Sequence, residues 1–247
     1  MLAWLSVKLW AACVIVCLYA CDNTQSLEAA PADSDAGAMQ VSCARPARPA
    51  PSSIADMISL LNALPKPVTL PCVLEALPHP LAIHAVDSVL SAQPAVGERS
   101  PRIFVFLDGL IVSVVPAGTG SRLLELGERR SDMDSLKAEL EFPIERELSA
   151  SAPYMRLRFD DNTSTSTCGF CHTQENPADD VDDPYARISR SIRPMPSQRV
   201  SLAALQTELA NCAAAQEPER CAMLRAVFGP SGKAVDAEFP TQWKTFF

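Results

Sequence analysis

Histidine and glycine are scarce in this chain: three of the first and nine of the second in 247 residues. Nine glycines, with no GxGxxG or Walker-type run, exclude the Gly-rich loops that cradle nucleotide phosphates. The few histidines stand in no GxSxG context, so a serine hydrolase has no support. Positive charge is also short. The 21 Lys and Arg against 29 Asp and Glu leave a net charge of −8, which excludes nucleic acid as a partner because a phosphate binder needs a basic face. Proline is what the chain has in excess. Its 21 copies exclude a helical bundle and predict loops, extended segments and linkers.

Long apolar runs are nearly absent as well. The exception is Leu9–Ala20, 12 residues without a charge, preceded by Lys8. It is too short to span a bilayer comfortably and suits the apolar core of a signal peptide. It ends in Leu18-Tyr19-Ala20-Cys21, which resembles the lipobox of bacterial lipoproteins, with Tyr19 departing from the usual small residue. The resemblance implies that residues 1–20 are a signal peptide and that Cys21 is lipidated. The domain then works in the periplasm or cell envelope, anchored to a membrane in a compartment that permits disulfides. Residues 21–51 are rich in Ala, Pro, Ser and Asp without apolar period, as expected of a tether.

The expected fold class is α+β. Residues 52–160 read as a β-rich domain with a short N-terminal helix capped by Ser52 or Ser53 and ending before Pro65. Strands are expected at 81–87, 102–106, 110–115, 122–126, 135–142 and 154–159, forming an antiparallel sheet or small sandwich. Asp108-Gly109, between two apolar runs, is the strongest hairpin signal. In 135–142, Leu136, Ala138, Leu140 and Phe142 alternate with Lys137, Glu139 and Glu141, the pattern of a half-buried strand. Residues 161–247 read as a loop-rich segment followed by two helices. One or two helical turns are expected before Pro194, then a helix opening at Ser201 and another closing at Gly229.

Nine cysteines need assignment. Cys13 and Cys17 belong to the signal segment, and Cys21 to the lipid. Cys43, Cys72, Cys168, Cys171, Cys212 and Cys221 remain, an even number in an exported chain. Cys212 with Cys221 would staple the final helix pair, contributing about 2.7 kcal/mol, and Cys43 with Cys72 about 3.6 kcal/mol on a chain-entropy estimate. Parity does not say whether Cys168 and Cys171 also pair.

Those two stand in Cys168-Gly169-Phe170-Cys171-His172. Two thiols two residues apart match the two vinyl groups of haem, and the following histidine is placed on the iron. The motif resembles the attachment site of c-type cytochromes. That resemblance implies one covalent haem c held by Cys168 and Cys171, with His172 as proximal ligand. Met195, between Pro194 and Pro196, resembles the distal methionine of small cytochromes and is the expected second axial ligand, with His79 and His84 as alternatives. One-electron transfer with a redox protein partner, or haem-based ligand binding, would follow. Proteins similar to cytochrome P460 also place CxxCH after a sheet, although 75 residues after His172 are more than that pattern expects.

Other chemistries compete for the motif. Cys-Gly-Phe-Cys-His also resembles the active site of periplasmic disulfide isomerases, which needs a long helix after the motif, where Pro177 and a run of acids stand instead. A structural Cys168–Cys171 disulfide would leave a haem-free, disulfide-stapled lipoprotein acting as a binding module. Zinc lacks a fourth ligand. Asp179, Asp180, Asp182 and Asp183 offer oxygen ligands for calcium without EF-hand spacing, or a negative surface that steers a basic redox partner.

Overall fold

The computed structural model describes Cys43 and residues 49–88, 93–159, 165–172 and 174–245. The lipobox-like run, Cys21 and most of the tether lie outside the described residues. Two helices open the fold, α1 (Ile54–Ala63) and α2 (Leu70–Ala76). Ser53 caps α1 by accepting from the Asp56 N–H, and Thr69 does the same for α2 at Cys72. Five strands follow: β1 (Leu81–Val86), β2 (Arg102–Phe106), β3 (Leu110–Val114), β4 (Leu123–Arg129) and β5 (Asp134–Glu141). The short helix α3 (Ala152–Met155) leads to the CxxCH motif and then to β6 (Asn176–Pro177), β7 (Arg187–Arg190), β8 (Ile192–Arg193) and β9 (Arg199–Val200). Helices α4 (Leu202–Ala210) and α5 (Pro218–Phe228) precede β10 (Ala234–Asp236) and β11 (Lys244–Thr245).

The main sheet runs β10-β1-β2-β3-β4-β5-β7-β6, with β9 also pairing β1. All its pairings are antiparallel except β1 with β10, so the α+β class holds with an antiparallel-dominated sheet. The β2–β3 turn is the expected Asp108-Gly109 hairpin, with Gly109 at φ 79°. Alternation divides the sheet into two faces. Ile83, Val105, Val112, Leu124, Leu126 and Leu136 bury themselves against α1, α2 and α5 in the main core. Cys43–Cys72 and Cys212–Cys221 form as expected, the first fastening the chain to α2 and the second joining the end of α4 to α5.

The opposite face is also covered, which strand alternation did not announce. After β10 the chain folds back across it. Ala237 donates to the Ile83 carbonyl, Phe239 meets Phe104 and Phe106 edge to face, and Trp243 donates through Nε1 to the Asp132 carbonyl at 2.8 Å. β11 then pairs in parallel with β8.

Three expectations change. Residues 154–159 do not form a strand, because Pro153 starts one helical turn and only Arg158 makes a bridge, to Ser166. The stretch before Pro194 is extended rather than helical, since Ile188 alternates with buried Arg187 and Ser189 and the segment pairs with β5. Residue 160 is not a domain boundary either. Strands from both sides of it share one sheet, and Val41–Phe247 is one compact unit. Among the described residues no helix is long and apolar enough to cross a membrane.

Candidate functional site

The CxxCH motif is a single 3₁₀ turn, Thr167–Phe170, rather than the start of a long helix. Ser166 caps it, its Oγ accepting from the Cys168 N–H at 3.1 Å. Glu175 clamps the cap from the other side. One carboxylate oxygen accepts from the Ser166 N–H at 2.8 Å and the other from its hydroxyl at 2.6 Å. That carboxylate lies so close to Gly169 that a Cβ there would meet it at 2.6 Å, so a side chain at the x position nearest Cys168 would have to displace the Glu175 clamp. Thr167 donates to the Leu157 carbonyl, tying the turn to the segment after α3.

Cys168 and Cys171 are free thiols, so the disulfide expected of the haem-free alternative is not formed. His172 uses Nδ1 to donate to the Arg190 carbonyl of β7 at 2.7 Å. Both Cys168 and His172 keep some solvent contact, yet the protein around them controls their ionisation. Desolvation, followed by the Lys137 charge, pushes the His172 pKa down to about 3, so the ring is neutral and Nε2 carries a bare lone pair. This is how a ligating histidine is commonly oriented, with a carbonyl fixing its other nitrogen. Burial, aided by the Glu125 carboxylate, pushes the Cys168 thiol up to about 12. A thiol-disulfide catalyst needs the opposite shift and a long helix after its first cysteine. Neither is present.

Cys168, Cys171 and His172 all line one cavity of about 180 Å³ on the second face of the sheet. Phe104, Ile111 and Leu157, with Phe239 and Trp243 from the returning C-terminal segment, make much of its wall apolar. The donor set fits a covalent haem: two reduced thiols spaced for the vinyl groups, a neutral imidazole beside them, and aromatic walls nearby.

Polar residues from the strands complete the cavity. Arg102 donates to Ser113 Oγ and pairs with Glu125, while Ser113 donates to Gln93. Glu125 Oε1 is buried without a hydrogen-bond partner among the described residues. Lys137 lines the same cavity, 8% exposed, and donates to Ser135 Oγ at 2.7 Å. The half-buried reading of β5 puts Lys137 in solvent. It is buried because the motif and the C-terminal segment cover that face, and the charge gives no local signal of such long-range cover.

Met195 does not line the cavity, although Pro194 and Gln198 do. His79 is held away from it, Nε2 bonding to the Leu74 carbonyl at 3.0 Å on the helix side. His84 shares the cavity's face of the sheet but opens onto a small separate hollow with Arg199 and Glu238. Phe170, inside the motif, is 72% exposed and meets Phe159 edge to face at 5.1 Å. Asp180 pairs with Arg130, and no cluster of three or more His, Cys, Asp or Glu among the described residues is arranged to hold a metal ion. Compared with protein-family models, curated proteins and solved structures, the chain matches none.

Proposed function

We propose that this chain is an exported, lipid-anchored, sheet-based c-type haem protein that binds a small ligand rather than a dedicated electron carrier. One observation carries the reading: free Cys168, free Cys171 and neutral His172 converge on a single, partly aromatic cavity. Cys168 and Cys171 would hold the haem covalently and His172 its iron. A haem so held supplies an iron centre that takes up an electron or a small ligand. This chain's residues orient the imidazole through Arg190, keep the Cys168 thiol protonated until attachment, and enclose the site with Phe239 and Trp243. Ligand binding is favoured over simple electron transfer because Met195 stands outside the cavity while Arg102, Ser113, Glu125 and Lys137 bring hydrogen-bonding groups into it.

The test is expression of the exported chain beside a haem-attachment system, denaturation, and an alkaline pyridine spectrum. A c-type spectrum that survives denaturation and vanishes in the Cys168→Ala, Cys171→Ala chain is expected. Reduced protein should then bind carbon monoxide, with or without Met195→Ala. A colourless wild type, under conditions that mature a control cytochrome, would sink the haem reading. The haem-free, disulfide-stapled binding module would then take its place.

A further inference from the structure

Lys137 presents a problem that the motif does not explain. Its ammonium is buried, and among the described residues it makes no ion pair. Its register partners explain why: Gly127 on β4 has no side chain, and Arg187 on β7 is another cation. The nearby acids make their close contacts elsewhere: Glu125 and Glu175 favour the Lys137 charge from beyond ion-pair distance, and one Glu125 oxygen is buried without a hydrogen-bond partner among the described residues. Glu125 is paired with Arg102, Glu139 with Arg156, and Glu175 with Ser166. Among the described residues only the Ser135 hydroxyl hydrogen-bonds the ammonium, and that oxygen also meets Ser191 Oγ at 3.1 Å. A buried charge without a counter-charge destabilises the fold unless something supplies one. Gly127, which also lines the cavity, adds no side chain beside Lys137, and the cavity extends over about 180 Å³.

We propose that Lys137 anchors an anion subsite in this cavity, taking a carboxylate carried on a compact apolar body. Phe104, Ile111, Phe239 and Trp243 supply the apolar contacts, and Ser135 and Ser191 lie beside the charge. The carboxylate comes either from a propionate of an attached haem or from a free organic acid. The inference concerns the same cavity as the proposed haem but does not require one, since Lys137 lines the cavity without an ion pair among the described residues in the haem-free chain too.

Trp243 makes the test direct. The other tryptophans are Trp4 and Trp10, so Trp4→Phe and Trp10→Phe leave one indole, in the cavity wall. Cys168→Ala and Cys171→Ala added to that chain prevent haem attachment. Indole fluorescence is then titrated with cyclohexanecarboxylate and with its neutral isostere, cyclohexanecarboxamide. Saturable binding of the acid is expected, roughly tenfold or more tighter than the amide, with Lys137→Met removing the difference and Lys137→Arg retaining most of it. Equal binding of acid and amide, acid binding untouched by Lys137→Met, or no saturation by the acid would each overturn the subsite. The acid-against-amide comparison stands even if Lys137→Met does not fold. With the cysteines intact and haem attached, retained acid binding assigns the subsite to a free acid, and its loss assigns it to a propionate. Failure here leaves the pyridine result untouched, so the two readings fall separately.

Discussion

At Gly229 two requirements meet in one residue. It ends α5 at φ 60°, a left-handed conformation, with its N–H bonded to the Arg225 carbonyl. A Cβ there would also lie 2.4 Å from Nδ1 of His79. That ring cannot swing away freely, because Nε2 donates to the Leu74 carbonyl at 3.0 Å. Gly229→Ala therefore combines backbone strain with a steric clash and should destabilise the chain by about 2–4 kcal/mol. Urea unfolding checks this, and an unchanged midpoint would mean that the His79 loop yields at no cost. The sequence revealed half of this. Glycine after an apolar helix reads as a cap, but the contact with His79, 150 positions away in the chain, has no local trace.

Among elements, those with local chemistry were legible and those fixed by distant cover were not. Ser53, Ser201 and Asp108-Gly109 state their caps and turn within four residues, and α1, α4 and the β2–β3 hairpin lie where expected. The strand before Pro194 was hidden because its pairing partner, β5, lies some 50 residues upstream. The segment after β10 has no periodicity at all, yet it closes the cavity. The motif turn lies between these cases: its residues were visible, its clamp was not. Glu175 alone holds both the N–H and the hydroxyl of Ser166. At pH 8, a Cys168 thiol with its pKa at about 12 is ionised in about one molecule in ten thousand. In the haem-free chain Cys168 should thus react slowly with iodoacetamide. Glu175→Gln should loosen the turn and speed that reaction roughly tenfold, read by peptide mass spectrometry. An equal rate would assign the turn's rigidity to its bonds with Leu157 and Arg190 instead.

Across the whole molecule, one sheet separates a helix-packed core from a polar, aromatic-walled cavity, and the pH response comes from the cavity's side of that sheet. His84 is buried on β1, donating through Nδ1 to the Ala237 carbonyl at 3.0 Å. Desolvation, aided by the Arg199 charge, holds its folded pKa below the ordinary 6.5, with Ala237, Glu238 and Asp236 opposing the shift. The unfolded chain then takes up a proton that the folded chain refuses. Stability from His84 is complete above pH 6.5 and is lost as pH falls from there toward the folded value. In the haem-free chain His172 contributes with the same sign. His84→Gln should flatten the fall in urea midpoint between pH 6.5 and 5, and identical slopes in the two chains would exclude His84 as a source. The Cys43–Cys72 bond has a consequence of another kind. It closes a covalent loop with a sequence separation of 29 around α1 and the turn after it. Tension applied to the chain anywhere before Cys43 therefore enters the domain through the sulfurs at the start of α2, and α1 feels none of it. Reduction of that one bond would reroute the pull through residues 44–53 onto α1, whose first turn would be peeled back before anything else in the fold.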